Sequence, residues 1–286
     1  MEGAPGAVEL VEVGPRDGLQ NEPARLGVDV RAELIARLLQ AGLRRLEVAS
    51  FVDPRRVPQM AGAEELLARL PRERGAVYIG LVLNARGFER ARAAGVGEVN
   101  CVVVASDSFG RRNQGADIAE SLAAWQGIAR AARAAGLRSS VSISAAFGCP
   151  YEGEVPLARL LEVARRALEA QPDELAIADT LGVAAPSEVR ERIEAVRELA
   201  GALPLRGHFH NTRNTALANV YAAWQAGVRI FDASCGGIGG CPFAPSATGN
   251  APTEDVLYML ERMGVSTGVS LARVIETAKW LEPHLG

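Results

Sequence analysis

The sequence has few cysteines, few histidines and almost no lysine. Its 286 residues include four cysteines and three histidines, and Lys279 is the only lysine among the 31 basic residues. Four cysteines are too sparse for a disulfide scaffold, and a cytosolic protein would keep them reduced. The excess of arginine and alanine is typical of a GC-rich bacterial coding sequence, so we draw no functional conclusion from it.

The sequence also lacks a long apolar run and a cluster of positive charge. No apolar stretch reaches the roughly 18 residues that a membrane span needs, and residues 1–7 do not resemble a signal peptide. The formal net charge is −3, and no basic run predicts a nucleic-acid surface. Since 48% of the residues are hydrophobic, the composition predicts a soluble globular protein. We therefore expect a cytoplasmic location, with neither nucleic acid nor membrane as a partner.

Short apolar runs alternate with amphipathic, helix-like stretches along the chain. The runs predicted as strands are 8–13, 43–48, 76–81, 98–103, 138–144, 174–178, 203–208 and 228–232. The helix-like stretches include 31–41, 61–70, 118–135, 157–170, 186–199, 215–226 and 255–263. Eight strand–helix units predict an α/β chain folded as a closed (β/α)8 TIM barrel. Because no linker divides the chain, we expect one domain at 1–286, with the barrel at about 8–265 and a C-terminal helical extension at 266–286 that includes a helix at 270–281.

Reactive residues gather at the predicted ends of the strands. In a TIM barrel the chemistry takes place just beyond the C-terminal ends of the strands. The residues at these positions are Arg16, Asp17, Glu47, Asp179, His208, His210 and the long loop 234–250. A random distribution would not place them all at one face, so we expect the active site there.

His208 and His210 are two residues apart on a predicted strand, so their imidazoles face the same side. Such a pair is either buried in the core with satisfied hydrogen bonds or bound to a metal. The rarity of histidine in this chain and the position at a strand end favour metal binding. Neutral imidazoles combined with carboxylate or amide oxygens suit Mg²⁺ or Mn²⁺. Asp17 is the candidate carboxylate, although the tetrapeptide 15–18 is also typical of a turn.

Two further features allow more than one interpretation. Arg16 either forms an ion pair with Asp17 or Glu47, or stabilises charge that develops on a substrate oxygen. The glycine-rich segment 236–240 has the composition of a phosphate-binding loop, but no GKS or GKT sequence follows it. We therefore interpret that segment as part of a lid over the site.

Short, distinctive motifs lie between Val11 and Asp255, and the resemblance that they carry runs from Val8 to about Leu271. They are VEVGPRDGLQNE at 11–22, SFV at 50–52, VPQM at 57–60, GCPYEG at 148–153, DTLG at 179–182, HFH at 208–210, GIGGCPFA at 237–244, ATGN at 247–250 and TED at 253–255. Together they resemble the 3-hydroxy-3-methylglutaryl-CoA lyase family. The resemblance implies retro-Claisen cleavage of a 3-hydroxy-3-substituted acyl-CoA to acetyl-CoA and a keto acid.

The resemblance also implies roles for individual residues. The implied metal ligands, for Mg²⁺ or Mn²⁺, are Asp17, His208, His210 and Asn250. The implied catalytic residues are Arg16, Asp17, Glu47, His208 and Cys241, and the implied substrate-binding residues are Arg16, Gln20, Ser50, Ser142 and Thr180. Cys241 would take part in proton transfer to the product carbon, or else it is an inert buried thiol. Asn250 has an alternative role near a helix start, and Glu12 would orient Arg16 or a metal ligand.

Other positions depart from the family pattern. Ser140 and Ser142 stand where the lyases usually have arginine and tyrosine, and Ala176 stands where a serine is common. We therefore expect an altered acyl pocket that accepts 3-hydroxy-3-methylglutaryl-CoA poorly and favours a larger or differently charged C3 substituent. Arg213 is the candidate replacement cation.

Asn211, after the second histidine, is typical of the isopropylmalate and citramalate synthases, but those enzymes carry Gly-Glu-Arg rather than Gly-Gly-Cys-Pro in the last loop. The alternatives are a lyase for citramalyl-CoA or a longer branched glutaryl-CoA, a condensing synthase, or an inactive scaffold barrel. An acyl-CoA partner and a homo-oligomer, a dimer or larger, are expected.

Overall fold

Eight parallel strands close into a barrel in the computed structural model, which describes residues 6–71, 75–240 and 249–286. The strands are β1 (Glu9–Glu12), β2 (Arg45–Ser50), β3 (Val77–Val82), β4 (Glu98–Val104), β5 (Arg138–Ser144), the hairpin strands β6 (Gly148–Cys149) and β7 (Gly153–Glu154), β8 (Glu174–Asp179), β9 (Leu205–Phe209) and β10 (Ile230–Ala233). The barrel order is β1-β10-β9-β8-β5-β4-β3-β2. The predicted TIM barrel is thus confirmed, and every predicted strand overlaps an observed one.

Helices surround the barrel. They are α1 (Val28–Gln40), α2 (Ala63–Arg69), α3 (Ala85–Ala94), α4 (Asp107–Asn113), α5 (Ile118–Ala134), α6 (Leu157–Leu168), α7 (Pro186–Ala200), α8 (Ala216–Gln225), α9 (Thr253–Arg262) and α10 (Leu271–Leu285). Two of these, α3 and α4, are not among the helix-like stretches named above, and α10 extends beyond its predicted end. Among the described residues, no helix has the length and apolar character needed to cross a bilayer.

Helix α5 illustrates how sequence determines these elements. Asp117 and Glu120 form a reciprocal capping box at its start, which satisfies amide donors that the first turn leaves unpaired. Its buried face then packs against the barrel through residues at helical spacing, such as Leu122, Trp125 and Ile128. The Trp125 indole donates a hydrogen bond to the carbonyl of Ala167 (2.9 Å), which fixes α5 against α6.

The strands divide their side chains between two environments. In β2, Leu46 and Val48 belong to the large hydrophobic cluster that the helices cover. Arg45 and Glu47 alternate with them and make polar contacts inside the barrel. A strand that appears mainly apolar in sequence therefore presents charge to the barrel interior, because successive side chains point to opposite faces.

Arg45 lies between two glutamates in this interior. Its guanidinium donates to Glu98 (2.7 and 3.0 Å) and to Glu174 (2.7 and 2.9 Å). Both glutamates are fully buried. Burial acts to raise the pKa of Glu98, but the charge and hydrogen bonds of Arg45 outweigh burial and hold the pKa below its ordinary value. The Arg45 guanidinium and the Glu98 carboxylate are therefore both charged.

Two more arginines complete the layer. Arg138 donates to Glu98 and Glu174 (3.1 Å each), and Arg206 lies 3.2 Å from Glu174 and 3.4 Å from Asp232. Ser140 donates to Glu98 (2.7 Å) and is fully buried. The expectation that Ser140 lines the acyl pocket is therefore wrong, because its hydroxyl belongs to this ionic layer.

Replacing Arg45 by methionine should lower the free energy of unfolding by about 3–5 kcal/mol, since it removes the buried cation that Glu98 and Glu174 share and leaves the partly exposed Arg138 as the cation that contacts both. Denaturant unfolding of the purified variant measures the loss. Arg92→Met is the control, because Arg92 and Glu89 form an exposed pair on α3 whose loss should cost no more than about 1 kcal/mol. Equal losses for both variants would contradict a stabilising role of the interior layer.

Candidate active site

A cavity of about 570 Å³ opens at the C-terminal ends of the barrel strands. Its lining combines apolar side chains with many polar ones and includes Arg16, Asp17, Gln20, Phe51, Arg56, Leu81, Asn100, Val102, Ser142, Ser144, Thr180, His208, His210 and Asp232. The cavity lies where the barrel fold predicts the chemistry to occur. Most of the residues selected from sequence therefore meet at one place.

Three potential metal ligands face one another in this cavity. The ligand atoms of Asp17, His208 and His210 all lie within 4.8 Å of one another. Asp17 is held in a single π-helical turn, Gly14–Gly18, which directly follows β1. His208 lies on β9 and His210 just after it. Two imidazoles and a carboxylate at this spacing are a ligand set suited to a divalent ion.

Asn250 completes the set in a way that tests whether a metal fits. Its Nδ2 donates to the Asp17 carboxylate (3.0 Å) and to the carbonyl of Ile238 (3.1 Å). These two bonds fix the amide orientation and leave Oδ1 buried, with no hydrogen-bond partner among the described residues. A buried acceptor without a donor calls for an unplaced partner. Asn250 therefore lies against Asp17 and has a free acceptor oxygen, which suits it to serve as a further ligand of a cation that Asp17 binds.

Asp232, on β10, orients His208. Nδ1 of His208 lies 3.0 Å from a carboxylate oxygen of Asp232, which places the ring proton on Nδ1 and leaves Nε2 available to a metal. Burial acts to lower the pKa of His208, but Asp232 outweighs it and raises the pKa. Asp232 is not among the site residues predicted from sequence. Its position as a carboxylate at the end of an apolar predicted strand is the signal that could have identified it.

Arg16 forms ion pairs with both Asp17 and Glu47, the two partners expected as alternatives from the sequence. Its Nε donates to Glu47 (2.6 Å), its Nη2 donates to the same oxygen, and its Nη1 donates to Asp17 (2.6 Å). Burial acts to raise the pKa of Asp17, but Arg16 and the two histidines outweigh it and hold the pKa below its ordinary range. Asp17 is therefore ionised and able to bind a cation. Arg16 also borders the cavity, so its guanidinium can contact a bound anion.

Glu47 and Asp179 occupy less exposed places than their sequence positions suggested. Glu47 lies within β2 rather than at its end, and its second oxygen accepts from Asn100 (3.0 Å). Asp179 accepts from the amides of Val183 and Ala184 (3.0 Å each) and closes the turn after β8. Neither side chain borders the cavity.

Most, but not all, of the predicted substrate-binding residues line the cavity. Gln20, Ser142 and Thr180 line the cavity, as Arg16 does. Ser50 is buried and does not border it, which argues against direct contact with substrate. The strand is irregular between Glu47 and Ala49, and alternation in the sequence does not reveal such an irregularity.

Arg213 does not supply the positive charge that the acyl pocket lacks. Arg213 is exposed and lies outside the cavity lining, whereas Arg56 lies within it. The expectation for Arg213 is therefore wrong, because the turn after His210 faces solvent.

Of the two roles expected for Glu12, its hydrogen bonds match the orientation of a metal ligand rather than of Arg16. Its carboxylate accepts from the amides of Gly14 (2.8 Å) and Cys235 (2.9 Å) and from the hydroxyl of Thr253 (2.8 Å). Burial raises the pKa of Glu12 to about 8. This side chain therefore ties the turn that carries Asp17 to the segments after β10.

The cysteines divide into two groups. Cys101 and Cys149 are buried, as expected for core residues, and Cys235 is buried as well. Cys241 lies outside the described residues, together with the rest of 241–248, so its predicted role in proton transfer stays a prediction.

Comparison with known proteins gives consistent matches. The model of the HMGL-like family matches residues 7–281. The chain is 45% identical to the (R)-citramalyl-CoA lyase of Chloroflexus aurantiacus over 98% of this chain and 92% of that protein. It is 44% identical to the hydroxymethylglutaryl-CoA lyase of Pseudomonas mevalonii over 98% and 93% of the two chains. The crystal structure of Bacillus subtilis HMG-CoA lyase superposes with a TM-score of 0.95 at 40% identity, covering 98% of this chain and 94% of that one.

Replacing Glu12 by glutamine should remove a pH dependence of stability. In the wild type the pKa rises from 4.5 to about 8 on folding, so the stabilisation is complete below pH 4.5 and is lost as the pH rises through 8. Glutamine can accept from the same two amides through Oε1 and can donate from Nε2 to the Thr253 hydroxyl oxygen, and it does not titrate. Unfolding free energies between pH 5 and 9 should therefore show wild-type stability falling relative to the variant, and parallel curves would contradict the assignment.

Proposed function

This chain belongs to the HMGL-like family, and we propose that it uses a divalent metal to cleave a 3-hydroxy-3-substituted acyl-CoA into acetyl-CoA and a keto acid. It is a carbon–carbon lyase of the hydroxymethylglutaryl-CoA lyase type, as its relatives are. The observation that carries the metal assignment is the cluster of Asp17, His208 and His210, whose ligand atoms lie within 4.8 Å of one another, with the amide of Asn250 against Asp17. Mg²⁺ or Mn²⁺ suits this mixture of oxygen and imidazole donors.

The reaction breaks one carbon–carbon bond and moves two protons. The C2–C3 bond breaks, its electron pair goes to C2 and forms the thioester enolate, and loss of the hydroxyl proton turns C3 into a ketone. Protonation of C2 then gives acetyl-CoA. A bound divalent ion supplies Lewis-acid polarisation of substrate oxygens. The demand on the protein is to hold the acyl group and to stabilise the enolate oxygen.

Arg16 is suited to the enolate. Its guanidinium borders the cavity and is held on two sides by Glu47 and Asp17. A cation fixed before the reaction stabilises developing negative charge without reorganising. Asp232 holds the ring of His208 so that Nε2 remains available to the ligand cluster. By family resemblance, Cys241 delivers the proton to C2.

Two candidate acyl groups fit the proposed reaction. The default is 3-hydroxy-3-methylglutaryl-CoA, and the second candidate is (R)-citramalyl-CoA, whose carboxylate is attached directly to C3. A relative at 45% identity is an (R)-citramalyl-CoA lyase and supports the second candidate, while one at 44% identity supports the first. Ser142 makes part of the cavity wall short and polar where the family usually has tyrosine, which leaves room for a larger C3 substituent.

Removal of metal should abolish acetyl-CoA release, and Mg²⁺ or Mn²⁺ should restore it. The ion should also raise the Tm of chelator-treated protein, because a ligand that binds only the folded state stabilises it. His210→Ala and Asn250→Ala should lose this rise in Tm. Asn219→Ala is the control, since Asn219 is a buried amide on α8 outside the cavity lining. Full turnover of metal-free enzyme would overturn the ligand assignment.

A panel of acyl-CoA esters tests the function and the pocket together. We expect acetyl-CoA release, with a kcat/KM for an ester with a larger C3 substituent at least about 10-fold above that for 3-hydroxy-3-methylglutaryl-CoA, the scale on which small changes in pocket fit discriminate. Ser142→Tyr should shift the preference toward the methylglutaryl ester.

A clear preference of the wild type for the methylglutaryl ester would refute the pocket argument and leave the lyase assignment intact. Release of acetyl-CoA from no ester, with either metal, would refute the lyase assignment.

A further inference from the structure

Asn100 lies on β4 between the acyl pocket and the residues that hold Arg16. It borders the cavity and is 4% exposed. Its amide nitrogen donates to Glu47 (3.0 Å), and its amide oxygen accepts from Ser142 (3.0 Å), with Ser140 at 3.4 Å. The same side chain therefore contacts the pocket wall on one side and the partner of Arg16 on the other.

Asn100 is the donor to one of the two carboxylate oxygens of Glu47. One carboxylate oxygen accepts from both Nε and Nη2 of Arg16. The other oxygen accepts from Asn100. The Glu47 side chain is 3% exposed, so an oxygen deprived of its donor would be buried without compensation. The carboxylate would then gain by rotating, and the guanidinium that it holds would move with it.

The amide of Asn100 is held at both ends. The Glu47 carboxylate can only accept a hydrogen bond, so the amide NH₂ must face it. A flipped amide would place its oxygen against a carboxylate oxygen of Glu47. The Ser142 hydroxyl donates to the amide oxygen and holds it in the orientation that Glu47 requires.

We propose that Asn100 is a positioning residue for carbon–carbon bond cleavage, which fixes Glu47 and, through it, the guanidinium of Arg16. Ser142 acts in the same network by fixing the amide of Asn100. This inference rests on the proposed lyase function of the site. It means that the wall which contacts the acyl group and the cation which stabilises the enolate are mechanically linked. A change in the wall therefore alters turnover as well as substrate fit.

Asn100→Leu keeps the volume and removes both hydrogen bonds. We expect kcat to fall about 10- to 100-fold, the range found when an outer partner of an active-site group is removed, with KM for the best ester nearly unchanged. Ser142→Ala should give a smaller loss of kcat, and Ser142→Thr, which keeps the hydroxyl, should recover most of it. Asn219→Ala is the matched control, because it removes a buried amide whose bond goes to the carbonyl of Ala184; its kcat should equal that of the wild type.

The decisive measurement is a double-mutant cycle with Arg16→Gln. If Asn100 acts through Arg16, then Asn100→Leu should cost little more kcat once Arg16 is absent. Additive losses, or an Asn100→Leu effect confined to KM, would overturn the proposal. If Asn100→Leu does not fold, the cycle with Ser142→Ala decides, because that variant keeps Asn100. A wild type without acetyl-CoA release would instead refute the proposed function, so the two failures are distinguishable.

Discussion

The ion pairs of Arg45 with Glu98 and Glu174 are the constraint on which the rest of this barrel depends. Charges taken out of water are tolerated only when each has its partners, and this layer is balanced internally. It continues through Arg206 to Asp232, which in turn holds His208. The histidine at the site is therefore the upper end of a column of paired charges that begins at the opposite end of the barrel. Asp232 orients it from the cavity wall, and the charge of Asp232 is in turn balanced by Arg206 below.

A second polar column reaches the same place from the other side of the barrel. It runs from Asn100 through Glu47 and Arg16 to Asp17. The two columns meet where Asp17 and His208 face each other. The ligand geometry of the site is therefore held from two sides before any substrate binds. Preorganisation of this kind reduces the reorganisation needed during a reaction.

The sequence predicted the fold and most of the site, but not the supports beneath it. The spacing of His208 and His210 shows directly that they share a face, because that property is local. The pairing of His208 with Asp232 depends on how β9 and β10 align in the closed barrel. Ser140 and Ser142 also share a face, yet one lies in the ionic layer and the other borders the cavity. Alternation gives the direction of a side chain and not its depth, so buried partners could not be predicted.

The bond between Glu12 and Thr253 has a consequence for how the protein is made. It joins residues 241 positions apart, at the two ends of the barrel sequence. A ribosome releases the N-terminal motif with Arg16 and Asp17 long before it completes α9. Contacts of such long range form only when both segments are available, and they slow folding. A nascent chain therefore carries its catalytic motif without the partner that secures it, and the active site is completed only after nearly the whole chain has been synthesised.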